Sequence, residues 1–183
     1  GGMGFIEETG AAQYYRDVRI TTIYEGTTGI QANDLIGRKI GRDGGAAMSR
    51  LLQDMAAELA AINSSDASVQ VARKAAIEGV ELLRECTRTL LQGMQADPKR
   101  GLAVAVPYLK TAGTVIGAWL MARAADVAAK RLAEKASEQD FYLAKLASAR
   151  FYATHVAPLA LAQARIVREG ADAVLDTEAG VIS

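Results

Sequence analysis

The chain has 183 residues, 50% of them hydrophobic and 23% charged, enough for one or two small domains with a hydrophobic core. Its 21 basic and 21 acidic residues cancel to a net charge of zero, so no field of either sign gathers phosphate backbones or anionic lipids, and nucleic acid is not an expected partner. A single cysteine, Cys86, excludes an internal disulfide and a cysteine-based metal site, and a single histidine, His155, excludes a histidine cluster; no metal is expected, and a reducing, cytoplasmic setting is.

The opening, GGMGFIEETG, has no initiator methionine and no signal-peptide layout, and it reads as a cut from a longer chain. Alanine-rich apolar spacing then dominates and alternating β-branched runs are almost absent, so the expected fold class is all-α. EETGAAQYYRDV predicts a short helix, and RITTIYEG is the one stretch that reads as extended. Thr28 and Gln31 stand in the S/T-x-x-E/Q spacing of a capping box, which predicts a helix through IQANDLIGRKIGR that stops at the paired glycines of DGG. Gly44 and Gly45 mark the expected boundary between residues 1–43 and 44–183.

Beyond that boundary the pattern predicts an up-down bundle of about four long helices. The first carries Met48, Leu51, Leu52, Met55 and Leu59 on one stripe and ends at NSSDAS, where Ser65 or Ser68 caps the next. The second presents Val71, Ala75, Leu82, Cys86 and Leu90 and ends near QADPKRG. A third starts around Leu102, with Pro107 either in its first turn or kinking it. The fourth runs through EQDFYLAKLASARFYATHVAPLALAQARIV, with Pro158 as a kink. TAGTVIGAWLMA (111–122) is too short to cross a bilayer, for which about 20 apolar residues are required, and it reads as a buried helix.

Most conspicuous residues have plain structural readings. His155, in apolar FYATHVAPLA, is expected to be packed and hydrogen-bonded. Trp119 and the pairs Tyr14-Tyr15, Phe141-Tyr142 and Phe151-Tyr152 are expected as core filler and bundle-edge packing rather than a base-stacking platform. RLAEKASEQD reads as a solvated charged face. GRDGG lacks the GK[ST] ending of a phosphate loop.

Glu25, in RITTIYEGTTGIQ, is different. An acid before a helix favours the positive end of its dipole, worth roughly 0.3–1 kcal/mol, and that alone could account for it. A carboxylate between Ile23, Tyr24 and Gly26 can also be partly desolvated, which raises its pKa towards the range of a general base, and the glycine allows close approach of a substrate to the backbone.

The ordered set Gly1-Gly2-Met3-Gly4, Arg16-Asp17, Ile23-Tyr24-Glu25-Gly26-Thr27 and Gln31 resembles the C-terminal part of the flavin-dependent acyl-CoA dehydrogenases. The resemblance implies that Glu25 is the base that removes the α-proton of an acyl-CoA while FAD accepts the β-hydride, leaving a trans-2-enoyl thioester. It implies that the Gly26 N–H polarises the thioester carbonyl, that Thr27 and Gln31 lie beside the flavin nucleotide, and that Gly1 and Gly2 contact the FAD of a neighbouring subunit. An acyl-CoA substrate, an electron-transfer acceptor and a homodimer or higher homo-oligomer follow as expected partners. Arg16 and Asp17 look structural. The remainder, from LIGRKIGRDGGAAMSRLL onward, resembles the larger members of the family, the methylmercaptopropionyl-CoA dehydrogenase type, in which a helical domain is appended. Residues 1–43 would then be the end of the family's C-terminal helical domain, with an incomplete FAD site, and 44–183 the appended bundle. The alternative is a non-catalytic helical association module in which Glu25 is only a helix-end charge.

Overall fold

The computed structural model describes residues 1–21, 24 and 26–176, and every regular element among them is helical. Helices α1 (Gly2–Phe5) and α2 (Ala11–Ile20) flank a 3-10 turn at Glu7–Thr9, and α3 (Thr28–Asp34) passes into a π-helical stretch at Leu35–Ile40. Then come α4 (Ala46–Ala61), α5 (Ala67–Ala96), a short α6 (Pro98–Ala103) and α7 (Ala105–Ala133). Helix α8 (Gln139–Phe151), a second π-helical stretch at Tyr152–Val156, α9 (Leu159–Glu169) and α10 (Ala171–Leu175) follow. The class is all-α, as periodicity indicates. The first part of the stretch expected to be extended is instead helical: α2 runs to Ile20, and the Tyr24 N–H reaches the Ile20 carbonyl at 2.8 Å.

Side-chain caps set most of the boundaries. The cap of α5 is Asp66, not Ser65 or Ser68; its Oδ1 accepts from the N–H groups of Ser68 (2.8 Å) and Val69 (3.1 Å). A carboxylate here satisfies two orphan donors at once and faces the positive end of a 30-residue helix, which one serine hydroxyl does less well. Asp97 caps α6 through the Lys99 N–H, with Pro98 in the first helical position, where its missing N–H costs nothing. Asp43 accepts from Gly45 and Ala47 at 3.0 and 2.8 Å, and these backbone bonds, Ala47 first, hold its carboxyl below the usual range. At the other end of α4, the Arg73 guanidinium donates to the Leu59 carbonyl at 2.7 Å.

Helix α7 is the centre of the bundle. Its buried set, from Tyr108 and Ala112 through Val115, Ala118 and Ala122 to Ala128, touches neighbours on several sides, and the alanines let those helices approach closely. Pro107 lies in its first turn. The long helix starts at Ala105, after a break at Val104 (φ −115°, ψ 15°). On α4 the predicted stripe holds, with Leu52, Met55 and Leu59 fully buried. On α5 the buried stripe is Val69, Ala72, Ala76, Val80, Leu83, Cys86, Thr87 and Leu90; Val71 points outward, and Ala75 and Leu82 only flank the core. Residues 28–40 share the same core through Ala32, Ile36 and Ile40.

Pro158 acts as expected, through a widened turn. Having no N–H, and with a ring that would meet the carbonyl four residues back, it is preceded by a π-helical segment in which the Ala157 N–H reaches Tyr152 O at 2.8 Å. The bulge carries Tyr152 across α7 at Gly117, where a Cβ would collide with it, and its hydroxyl donates to the Thr114 carbonyl at 3.0 Å.

The aromatic residues depart from expectation. Tyr14 and Tyr15 are 76% and 75% exposed, Phe141 and Phe151 project outward, and only Trp119, Tyr142 and Tyr152 pack partly against the core. The fully buried aromatic is Tyr108, whose hydroxyl meets Thr87 Oγ1 at 2.8 Å while Thr87 donates to the Leu83 carbonyl; burial pushes the Tyr108 phenol up to about 12. His155 is hydrogen-bonded to Thr154 (2.7 Å) and stacked on Phe151 (4.4 Å), yet it lies on the surface because the π-helical turn rotates it away from the core.

Trp119 belongs to a clasp between α4 and α7. Its Nε1–H donates to Glu58 Oε2 at 3.1 Å, Arg123 reaches the same oxygen at 3.2 Å, and the guanidinium stands 4.8 Å from the indole ring. Glu58→Ala is expected to shift Trp119 emission to longer wavelength while lowering stability by no more than about 1 kcal/mol, because the clasp is solvent-exposed. Unchanged emission would show that the clasp does not form in solution.

Candidate active site

The candidate residues fall in two places, the glycine turn at Gly1–Gly4 and the start of α3. Residues 1–20 form an arm in which no residue is buried; Phe5, Tyr14, Tyr15 and Val18 all face outward. A ten-residue helix such as α2 is too short to hold itself in water, so the arm's order rests on local side-chain bonds. The Thr9 hydroxyl lies 2.7 Å from the Met3 carbonyl and 3.1 Å from that of Ile6, and Gly10 closes the turn in the left-handed region (φ +78°). Arg16 pairs with Glu7 of the 3-10 turn at 3.0 Å, and Gln13 donates to both oxygens of Asp17. Arg16 and Asp17 are thus both engaged inside the arm.

At the start of α3 the cap is Thr27, not Thr28. Thr27 has the extended backbone of a cap (φ −70°, ψ 166°), and its Oγ1 accepts from the Ile30 N–H at 3.4 Å, whereas Thr28 is already helical. The Gln31 N–H donates to the Thr27 carbonyl at 3.0 Å. Thr27 and Gln31 thus stand one helical turn apart, with Gly26 directly before the cap. Gly26 has φ +109°, a region nearly closed to side chains, and a Cβ there would approach Ile30 Cγ2 to 3.0 Å. Gly26→Ala is expected to strain this turn by about 1–3 kcal/mol, read as faster amide exchange at Ile30 and Gln31. Unaltered exchange there would mean that the turn accepts an ordinary side chain.

Glu25 lies outside the described residues, as do Thr22 and Ile23. Its neighbour Tyr24 is 67% exposed. Among the described residues no group of three or more His, Cys, Asp or Glu could hold a metal ion, and no helix is long and apolar enough to cross a membrane. An apolar crevice of about 110 Å³ opens between α5, α7 and α9, but no residue of 1–43 lines it, and its one charged residue, Glu78, pairs with Lys74 at 3.9 Å.

The glycine turn and the cap of α3 are both exposed. No described atom lies within 4 Å of where a Cβ would stand at Gly1, Gly2 or Gly4, and Thr27 Oγ1 takes the Ile30 N–H as acceptor, a geometry that leaves room for a bound nucleotide's edge. The residue missed by sequence reasoning is Thr9. A threonine directly before a helix-closing glycine is the available signal, since its hydroxyl can turn back to a nearby carbonyl.

Comparison with known proteins matches two family descriptions along the chain. Residues 1–41 match the family described as "Acyl-CoA dehydrogenase, C-terminal domain", and residues 48–178 match "Acetyl-CoA dehydrogenase C-terminal like". The chain is 42% identical over 156 residues to 3-methylmercaptopropionyl-CoA dehydrogenase of Ruegeria pomeroyi, covering 85% of this chain and 26% of that protein. It is 34% identical over 168 residues to the broad-specificity linear acyl-CoA dehydrogenase FadE5 of Mycobacterium tuberculosis, covering 87% and 27%. Over 31 residues, 17% of this chain and 8% of the relative, it is 64% identical to the rat mitochondrial short-chain specific acyl-CoA dehydrogenase. The chain thus spans about a quarter of the length of the first two relatives. With an all-α fold and both segments matched in order, the chain belongs to the acyl-CoA dehydrogenase family, of which it carries the C-terminal part.

Proposed function

We propose that this chain is the C-terminal part of a FAD-dependent dehydrogenase that converts an acyl-CoA to the trans-2-enoyl-CoA, with Glu25 as its base. The observation that carries the reading is the ordered run from the glycine turn through Arg16-Asp17 to IYEGT and Gln31, set on an arm with no buried residue of its own. The chemistry that FAD supplies when bound is acceptance of the hydride from the β-carbon. The α-proton of a thioester is weakly acidic, so the carboxylate of Glu25 must be held close to it, and the Gly26 N–H donates to the thioester oxygen as negative charge develops there. Glycine suits that task, because it accepts the positive φ of this turn and has no Cβ to stand between the backbone and the substrate. Thr27 and Gln31, one turn apart, take the side of the nucleotide, and Gly1 and Gly2 take the FAD of a neighbouring subunit.

In this reading residues 1–43 are the catalytic end of the family's helical domain, and 44–183 are an appended bundle that completes a subunit interface or narrows the acyl channel. The exposed apolar side chains of the arm, Phe5 and Val18 among them, are covered by the rest of the parent protein. The whole protein acts as a homodimer or higher homo-oligomer and passes its electrons to a separate acceptor. The test is to purify the protein from its complete reading frame and add acyl-CoAs of graded length under anaerobic conditions. Loss of the oxidised flavin absorbance with at least one of them is expected. A protein that binds FAD and is bleached by none, or that binds no flavin, overturns the reading.

A further inference from the structure

The arm contains a bond whose purpose the reaction does not use. The Thr9 hydroxyl reaches back six residues to the Met3 carbonyl at 2.7 Å, with Ile6 O at 3.1 Å as a second acceptor, and Met3 is the residue between Gly2 and Gly4. The turn closes on itself through the Gly4 N–H and the Gly1 carbonyl at 3.0 Å, and the Thr9 hydroxyl is the side-chain bond that joins it to the 3-10 turn. Gly1, Gly2 and Gly4 have no described atom within 4 Å of where a Cβ would be, and α1 has no buried residue. Arg16 to Glu7 ties α2 to the 3-10 turn, and Gln13 to Asp17 lies within α2, so neither bond reaches the glycines. In a segment without a buried core, a single bond that spans two elements decides the backbone path between them.

We propose that Thr9 is a positioning residue for flavin binding: its hydroxyl, through Met3, holds Gly1 and Gly2 in the conformation that meets the FAD of the neighbouring subunit. The inference rests on the flavin-dependent reading above. It assigns Thr9 no contact with the cofactor, only control of the turn. A valine at this position keeps the shape and removes the donor; a serine keeps the donor and removes a methyl group.

The experiment uses the protein from its complete reading frame as wild type, Thr9→Val and Thr9→Ser. It measures the FAD dissociation constant by flavin fluorescence and, separately, the thermal midpoint of each apo-protein. Thr9→Val is expected to weaken FAD binding about tenfold, the worth of one positioning hydrogen bond. Thr9→Ser is expected to restore wild-type affinity, and the apo midpoints of all three should coincide. FAD affinity unchanged in Thr9→Val overturns the proposal. So does a loss of affinity that Thr9→Ser does not restore, or one matched by a fall in the apo midpoint, since either would make Thr9 an ordinary stabilising residue. Wild-type protein that binds no FAD is a separate result and removes the flavin reading itself.

Discussion

Glu25→Gln is expected to slow the bleaching of bound flavin by acyl-CoA about a thousandfold while leaving the flavin in place. Removal of a positioned general base costs between roughly a hundred and ten thousandfold, and a thioester α-proton sits towards the demanding end because it is only weakly acidic. Within this chain, His155 is on the bundle surface stacked on Phe151, and Cys86 is buried on α5 with its thiol pushed up to about 11 by burial, so neither stands beside the α3 entrance as a base. Flavin is retained because the glutamine is nearly isosteric, and the cofactor edge proposed here belongs to Thr27, Gln31, Gly1 and Gly2. Stopped-flow absorbance reads the rate. A mutant that bleaches within a few-fold of wild type returns Glu25 to the role of a helix-end charge.

The second large effect lies in the bundle. Leu83→Ala is expected to destabilise the chain by about 3 kcal/mol, the middle of the range for leucine truncations in a well-packed core. Leu83 is fully buried near the middle of α5, and its carbonyl also takes the Thr87 hydroxyl bond. In a chain of this size the change lowers the thermal midpoint by on the order of 6–12 °C. Leu82→Ala, one residue earlier but only flanking the core, is expected to cost about a third as much. Urea unfolding of both variants decides between the two registers of α5; the reverse order would mean that the helix packs by the stripe through Val71, Ala75 and Leu82.

That pair of leucines shows where sequence reading stops. The helices themselves were legible, because proline, paired glycines and the polar breaks at 63–68 and 95–100 punctuate an otherwise helical composition. The face of α5 was not. Val69, Val71, Ala72, Ala75, Ala76, Leu82 and Leu83 offer two overlapping apolar stripes, and only the neighbouring helices choose between them. Alanine is nearly neutral in such a choice, and in α5 and α7 it is the residue that permits close packing. The caps at Thr27 and Asp66 were each missed by a residue or two for a similar reason. Adjacent Thr27-Thr28, and Ser65-Asp66 followed by Ser68, are interchangeable in a motif, whereas backbone conformation singles out one of each. The aromatics of the arm misled in another way, since Tyr14 and Tyr15 face outward rather than into the core of this chain.

The candidate site divides similarly. Its order along the sequence is a property of the residues, and so is the requirement for glycine at position 26, which the φ of +109° explains. The Thr9 bond to the Met3 carbonyl crosses six residues, and the threonine-glycine pair hints at a back-bond without naming its partner.

The most direct test of the account is the fate of the α-proton. The complete protein, with FAD bound, is incubated anaerobically in D₂O with an acyl-CoA that bleaches it, and deuterium at carbons 2 and 3 of the acyl chain is followed by NMR. The account predicts wash-in at carbon 2 in the wild type and none in Glu25→Gln; wash-in at carbon 2 that is undiminished in Glu25→Gln would contradict it.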